Sequence, residues 1–138
     1  MKGRAMRNMM KLWAVVLLFG TVLFGAELHW EEDTATAFAK AKAENKNVML
    51  MVEASRCRWC EKMKEETLSN EEVQKRLQNY ILVKVLRSDK EEMKVLPESY
   101  YPAPSTFFMT PDGEIIERAI GFFEAEDFIT YINDVEAN

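Results

Sequence analysis

The chain has two cysteines, and both lie in one short motif, Ser55-Arg56-Cys57-Arg58-Trp59-Cys60. The apolar run Val48–Val52 comes shortly before the motif, and the charged run Glu61–Glu66, which is typical of a helix, follows it. A buried strand that leads into a helix with C-x-x-C at its start indicates dithiol redox chemistry. The first sulfur then lies at the helix N-terminus, where unpaired N–H groups and the helix dipole favour a thiolate. We therefore take residues 55–60 as the candidate site.

The spacing of the two cysteines also permits a disulfide with a purely structural role. One helical turn separates Cys57 from Cys60, which predicts a Cα–Cα distance of roughly 5 Å, within the range of a disulfide without strain. Such a bridge closes a loop of about four residues and stabilises the fold by roughly 2 kcal/mol, against about 3 kcal/mol for a fifteen-residue loop. Two cysteines used only for stability would more effectively join distant segments. The spacing therefore favours redox work over a structural bridge.

Residues 1–26 have the pattern of an export signal. Four basic residues among the first 11 precede the apolar run Leu12–Phe24, which as a helix spans roughly 20 Å, short of the ~30 Å hydrocarbon core. Cleavage is expected after Gly25 or Ala26, although the segment could instead remain as an N-terminal anchor. The sequence thus predicts a periplasmic or secreted protein.

Residues 27–138 have the length of one small domain, which we expect to act as a monomer. They hold all 23 acidic residues and 14 of the 18 basic ones, a formal net charge of −9. This acidity argues against a nucleic-acid partner. A tetrahedral zinc site needs four ligands, and only His29, expected in an exposed lead-in segment, adds to the two cysteines. We expect no metal and no other cofactor.

Hydrophobic periodicity and turn residues predict an α/β fold, a central mixed β-sheet flanked by helices. Asp33 or Thr34 is expected to cap the first helix, and Ser69 or Asn70 the third. The first predicted elements, in chain order, are a helix from about 34 to 44, a strand at 48–53, the cysteine helix to about Leu68, a helix from about 70 and a strand at 80–86. A charged, irregular stretch with a short helix at 89–96 follows. The last elements are a hairpin of strands 105–110 and 114–120 around Pro111-Asp112-Gly113, and a helix at about 124–136.

This order of elements and three motifs resemble the thioredoxin-like superfamily, in particular exported bacterial thiol–disulfide oxidoreductases. The motifs are the strand and C-x-x-C helix at 48–66, the segment Ala103-Pro104-Ser105 before a strand, and the turn Asp112-Gly113 followed by Gly121. The resemblance covers residues 31–138. It implies that Cys57 attacks a substrate disulfide, that Cys60 resolves the mixed disulfide, and that the Ala103–Pro104 bond is cis.

The same resemblance implies a substrate-binding surface beside the cysteines. The backbone of Ala103 would pair with an extended substrate chain, and Pro104 would pack beside the disulfide. Trp59, between the two cysteines, is expected to be half exposed, where it either contacts the substrate or shields the disulfide.

The sequence departs from thioredoxins at and before the cysteines. Arg56 and Arg58-Trp59 occupy positions where thioredoxins have Trp and Gly-Pro, and Met51 lies where they have a buried Asp. Glu53, two residues later, faces the same way in a regular strand and either relays a proton to Cys60 or is a solvated carboxylate at the strand end. Lys84 lies where the family often has a lysine near that carboxylate.

Two functions are consistent with these residues. The first is an exported enzyme that reduces, isomerises or forms disulfides in cysteine-containing exported proteins and exchanges electrons with a membrane or periplasmic redox partner. The second is a redox-inert module that binds extended peptides and keeps its disulfide closed. Arg56, Arg58 and the helix N-terminus favour a Cys57 thiolate, whereas Glu53 and Glu61 oppose it.

Overall fold

A computed structural model of the chain describes residues 27–138, which form a five-stranded mixed sheet with helices on both faces. The strands are β1 (Trp30–Glu31), β2 (Val48–Glu53), β3 (Ile81–Leu86), β4 (Ser105–Met109) and β5 (Ile115–Ile120). The helices are α1 (Thr34–Glu44), α2 (Arg58–Lys62), α3 (Glu71–Leu77) and α4 (Ala125–Ala137), with a π-helical turn at Met63–Thr67 and a 3-10 turn at Glu92–Val95. Between residues 27 and 138, no helix is long and apolar enough to cross a membrane. The predicted signal, residues 1–26, lies outside the described part of the chain.

The strand order is β1-β3-β2-β4-β5, so β2 lies at the centre of the sheet. β2 pairs with β3 in parallel, from Val48 opposite Ile81 to Glu53 opposite Leu86. β4 is antiparallel to both β2 and β5. The predicted parallel pair, the hairpin and the mixed sheet are therefore confirmed. The cysteine motif follows the carboxyl end of β2, at the centre of the sheet.

Each face of the sheet carries its own hydrophobic core, because successive side chains of a strand point to opposite faces. On β2, Leu50 packs in the core beneath α1, and Met51 packs in the core beneath the other helices. On β4, Phe107 and Phe108 divide in the same way. All four side chains are fully buried, which explains why β2 reads as a continuous apolar run.

Side-chain caps fix the starts of two helices. The Asp33 carboxylate accepts a hydrogen bond of 2.7 Å from the Thr36 N–H at the start of α1. Asn70 accepts one of 3.1 Å from the Val73 N–H at the start of α3. Each cap contributes about 1 kcal/mol by pairing an N–H group that the helix itself leaves free. Of the alternative caps predicted, the structure thus selects Asp33 and Asn70.

Two features of the backbone differ from the sequence prediction. The lead-in segment contains β1, which pairs in parallel with Leu82 and Val83 of β3. The cysteine helix, expected to run regularly to Leu68, instead changes to a π-helical turn, in which the Leu68 N–H donates to the carbonyl of Met63. A two-residue strand has no local periodicity, and a π turn keeps the composition of a helix, so neither leaves a signal in the sequence.

Candidate functional site

The dithiol motif lies where the chain turns from β2 into α2. Arg56 adopts a left-handed conformation (φ +54°), which is uncommon for a residue other than glycine and marks a sharp change of direction. Cys57 is then the N-cap of α2. Its sulfur accepts a hydrogen bond of 3.1 Å from the Cys60 N–H. The first turn of the helix therefore directs an otherwise unpaired donor at the Cys57 sulfur.

Cys57 and Cys60 are joined by a disulfide, with a Cα–Cα distance of 5.2 Å, as the spacing predicted. The two sulfurs differ in access to solvent. Cys57 is partly exposed, whereas Cys60 is 2% exposed and lies in the core. An incoming thiolate or disulfide can therefore reach Cys57 from solvent and cannot reach Cys60 without a local opening.

The segment that contains Pro104 lies against the dithiol. The Ala103–Pro104 peptide bond is cis, and the Ala103 carbonyl oxygen is 3.6 Å from the Cys57 sulfur. Gly121 (φ +106°) donates its N–H to the Pro104 carbonyl at 2.8 Å. Within residues 27–138, the Ala103 N–H donates to no backbone acceptor. Ala103 thus offers a free main-chain donor beside the reactive sulfur.

An open groove of about 370 Å³ runs beside this segment. It is lined by Trp59, Ala103, Pro104, Gly121 and Phe122. The Trp59 side chain is 47% exposed, and its ring centroid lies 5.6 Å from that of Phe122. The structure therefore brings together Trp59, Ala103 and Pro104, the residues predicted to bind substrate.

Phe122 was missed in the sequence analysis. The signal available was its position directly after Gly121, a residue that the resemblance had already singled out. Nothing local in the sequence indicates that this loop reaches Trp59.

Glu53 ends β2 with its side chain only 16% exposed, so it is not the solvated carboxylate that was one of the two alternatives. Its Oε1 is buried, lies 3.3 Å from Nζ of Lys64, and has no well-directed hydrogen bond among the described residues. Lys64 also contacts Glu61 at 2.8 Å. The carboxylates of Glu61 and, to a lesser extent, Glu53 raise the pKa of Lys64, which keeps it charged.

The lysine paired with Glu53 is therefore not the one the resemblance suggested. Nζ of Lys84 lies 4.7 Å from the ring centroid of Trp30, a cation–π contact on the β1 side of the sheet. Lys64 was missed. It lies four residues after Cys60, one turn on in a regular α-helix, but here it belongs to the π-helical turn Met63–Thr67, which the sequence did not predict.

Residues that could hold a metal ion do not come together in the described part of the chain, residues 27–138. His29 is 76% exposed, and its Nε2 lies 3.5 Å from the Glu31 carboxylate at the edge of the sheet. Its exposure agrees with the sequence prediction.

Comparison with known proteins identifies relatives of this arrangement. A family model described as a thioredoxin-like domain matches residues 34–136. Spermatogenesis-associated protein 20 of Mus musculus is 33% identical over 106 residues, 70% of this chain but 13% of that protein. The chain therefore spans about an eighth of the length of this curated relative.

Solved structures also resemble this fold. The structure titled DsbH oxidoreductase superposes with a TM-score of 0.68 at 20% identity, over 94% of this chain and 99% of that one. The C-terminal domain of Neisseria meningitidis DsbD in its oxidised form superposes with a TM-score of 0.58 at 26% identity, over 72% of this chain and 89% of that one.

Proposed function

Since this chain belongs to the thioredoxin-like domain family and has its fold, we propose that it is a thiol–disulfide oxidoreductase in which Cys57 attacks and Cys60 resolves. One observation carries the proposal. The partly exposed Cys57 sulfur accepts the Cys60 N–H at 3.1 Å, whereas Cys60 is buried. In the reduced protein the same N–H can donate to a Cys57 thiolate, and a thiolate is the nucleophile of disulfide exchange.

The exchange has two steps. The Cys57 thiolate attacks one sulfur of a substrate disulfide, forms a mixed disulfide and releases the other substrate sulfur as a thiolate. Cys60 then loses its proton and attacks the Cys57 sulfur, which forms the Cys57–Cys60 disulfide and releases the second substrate thiolate. Two electrons pass from the protein to the substrate, whose two thiolates take up protons. A dithiol partner returns two electrons to the Cys57–Cys60 disulfide, and the same steps in reverse oxidise a substrate dithiol.

The groove supplies a place for the substrate chain. We propose that an extended substrate segment lies along Trp59 and Pro104 and accepts a hydrogen bond from the free Ala103 N–H. The 3.6 Å between the Ala103 carbonyl and the Cys57 sulfur supports this placement, because a chain paired with Ala103 would hold its own cysteine beside Cys57. Pairing through the main chain accepts many sequences, so the hydrogen bond to Ala103 by itself gives little selectivity.

We further propose that the protein acts outside the cytoplasm, on cysteine-containing exported proteins, with a membrane or periplasmic partner that exchanges electrons with it. Two points support this proposal. Residues 1–26 have the composition of an export signal. A protein of Campylobacter jejuni named thiol:disulfide interchange protein DsbD is 29% identical over 93 residues, 66% of this chain and 16% of that protein.

Mixed-disulfide trapping tests the two cysteine roles. A Cys60→Ser variant should accumulate disulfide-linked complexes with its substrates through Cys57, because the resolving thiol is absent. A Cys57→Ser variant, the matched control, should trap none, since Cys60 is buried. The measurement is non-reducing electrophoresis of the captured variant, and mass spectrometry then identifies the substrates.

The reduction potential determines the direction of electron flow. A potential near about −270 mV would identify a reductant, and one near about −120 mV an oxidase. A pair that stays closed well below about −300 mV, together with no trapping by Cys60→Ser, would contradict the enzyme proposal. The result would instead support the redox-inert peptide-binding module.

A further inference from the structure

The groove beside Cys57 is bordered by cations that stack on its aromatic wall. The Arg58 guanidinium lies 5.4 Å from the ring centroid of Trp59. Nζ of Lys62 lies 5.3 Å from the centroid of Trp59 and 4.7 Å from that of Phe122. All three distances are within the range of cation–π contacts, so the rings hold these charges at the edge of the groove.

These cations have little neutralisation from the protein itself. Among residues 27–138, neither Arg56 nor Arg58 has a carboxylate oxygen within 4.0 Å. Lys62 is 3.8 Å from Glu66, and both side chains are substantially exposed, so their pairing is weak. Lys64, in the π-helical turn that follows α2, differs from Lys62 because it is paired with both Glu61 and Glu53.

This local charge is opposite in sign to that of the domain. Residues 27–138 have a formal net charge of −9, whereas the two charged side chains in contact with the aromatic wall of the groove, Arg58 and Lys62, are both cationic. On an acidic protein, unpaired or weakly paired cations beside a substrate groove attract a partner of opposite charge and repel basic chains.

We propose that the groove selects substrate segments with aspartate or glutamate residues beside the reactive cysteine. The inference rests on the proposed function and specifies its substrate class. An extended chain paired with Ala103 passes along Trp59, and its side chains on that side come within reach of Arg58 and Lys62. A carboxylate there supplies the counterion that Arg58 lacks and that Lys62 has only weakly, whereas a basic side chain is repelled.

A pair of synthetic peptides tests the inference. Both contain one intramolecular disulfide, flanked by Asp and Glu in one peptide and by Asn and Gln in the other. The reduced full-length protein is mixed with each, and Trp59 fluorescence follows the rate of exchange. The intrinsic reactivity of Cys57 enters both rate constants equally and drops out of their ratio. A variant that changes only the reactivity of the Cys57 thiolate therefore leaves the ratio unchanged.

We expect the acidic peptide to react about fivefold faster at low salt, which is the size expected from two weakly screened surface charges. The ratio should fall to about one in the double variant Arg58→Gln, Lys62→Gln. It should also fall to about one in wild type at high salt. The double variant Lys42→Gln, Lys75→Gln removes the same charge from exposed positions on α1 and α3 and should keep the ratio.

Two results would overturn the inference: equal rates for the two peptides with wild type, or a ratio that survives in the Arg58, Lys62 double variant. If the reduced protein reduces neither peptide, and the oxidised protein oxidises neither peptide in its dithiol form, the proposed enzyme function fails instead. In that case, calorimetry measures the affinity of the protein for the same two peptides with serine in place of cysteine, and this decides whether the groove selects acidic segments. Tighter binding of the acidic peptide supports the charge selection, and equal binding rejects it.

Discussion

At the scale of single residues, Glu53 occupies an unusual environment for a carboxylate. It is largely buried, and its one salt-bridge partner among the described residues is Lys64, whose ammonium nitrogen lies 3.3 Å from Oε1. Glu53 points to the same face of the sheet as Met51, two residues before it, and Met51 packs in one core with Met63, the residue directly after α2. Glu53 therefore lies on the face of the sheet that the cysteine helix covers. We propose that Glu53 takes the proton that Cys60 must lose before it attacks the mixed disulfide.

A Glu53→Gln variant should therefore resolve the mixed disulfide more slowly, by at least about tenfold, since general-base catalysis typically contributes more than this. The first attack by Cys57 should not slow. A mixed disulfide of Cys57 with a coloured aromatic thiol separates the two steps, because both the attack and the release change its absorbance. Glu61→Gln, which removes the other and more exposed partner of Lys64, is the control and should resolve at the wild-type rate. Equal rates in Glu53→Gln and wild type would exclude the relay.

The residues of the site were predictable to different degrees. Cys57, Cys60 and Pro104 belong to local motifs, so their positions followed from spacing and resemblance. To predict the contact of Glu53 with Lys64, one would have to know that Lys64 lies in a π-helical turn, which sets the direction of its side chain. The contact of Trp59 with Phe122 joins residues 63 positions apart. The Trp59–Phe122 contact depends on how two distant elements pack, and a single sequence carries no signal for that.

At the scale of elements, the π-helical turn Met63–Thr67 connects the dithiol helix to the groove. Thr67 is fully buried, and its hydroxyl donates a hydrogen bond to the carbonyl of Phe123, next to the groove residue Phe122. An extra residue in the turn changes the direction of the side chains that follow it. The turn therefore directs Thr67 toward the 121–123 loop and fixes one wall of the groove.

Replacing Thr67 by valine keeps the shape of the side chain and removes the hydroxyl. We expect the free energy of unfolding to fall by about 1–2 kcal/mol, because the Phe123 carbonyl loses its partner in a buried site. We also expect KM for a peptide disulfide to rise, since the Phe122 wall is less well held. Urea denaturation and exchange kinetics measure the two effects.

The control for this prediction is Thr67→Ser, which keeps the hydroxyl and loses one methyl group. It should lose a comparable free energy of unfolding, about 1 kcal/mol, but retain the wild-type KM. If valine and serine change KM equally, the hydrogen bond does not position the groove.

The elements themselves were largely predictable, for physical reasons visible in single segments. β2 is an apolar run because both of its faces are buried, and Asp112-Gly113 marks the β4–β5 hairpin because the turn needs a glycine at positive φ, here +89°. β1 was not predictable, because two residues in a parallel pair depend entirely on β3.

At the scale of the whole molecule, the sheet separates a reactive end from a structural end. The six residues of β2 span about 20 Å, with the dithiol after its carboxyl end and Tyr80 beside its amino end, where Val48 pairs with Ile81. Tyr80 is 7% exposed and packs edge-on against Phe108, with ring centroids 5.5 Å apart. A change at Tyr80 should therefore alter stability without altering disulfide exchange.

Burial, assisted by the charge of Glu136, raises the pKa of Tyr80 from its ordinary value of 10.0 to about 12. Because the folded-state pKa is the higher one, this contribution to stability is complete below pH 10 and is lost as the pH rises through 12. At pH 11 the unfolded chain has gained about 1 kcal/mol from ionising Tyr80, while the folded protein still holds it neutral.

Tyr80→Phe removes that gain, so between pH 9 and 11 the free energy of unfolding of the variant should fall by about 1 kcal/mol less than that of wild type. Denaturation of both proteins at both pH values measures the two losses in the free energy of unfolding. The ionisation of lysines affects both proteins equally, so it does not contribute to the difference between them. Equal losses would show that Tyr80 ionises as freely in the folded protein as in the unfolded chain, and a slower exchange at pH 7 in the variant would show that the two ends of the sheet are coupled.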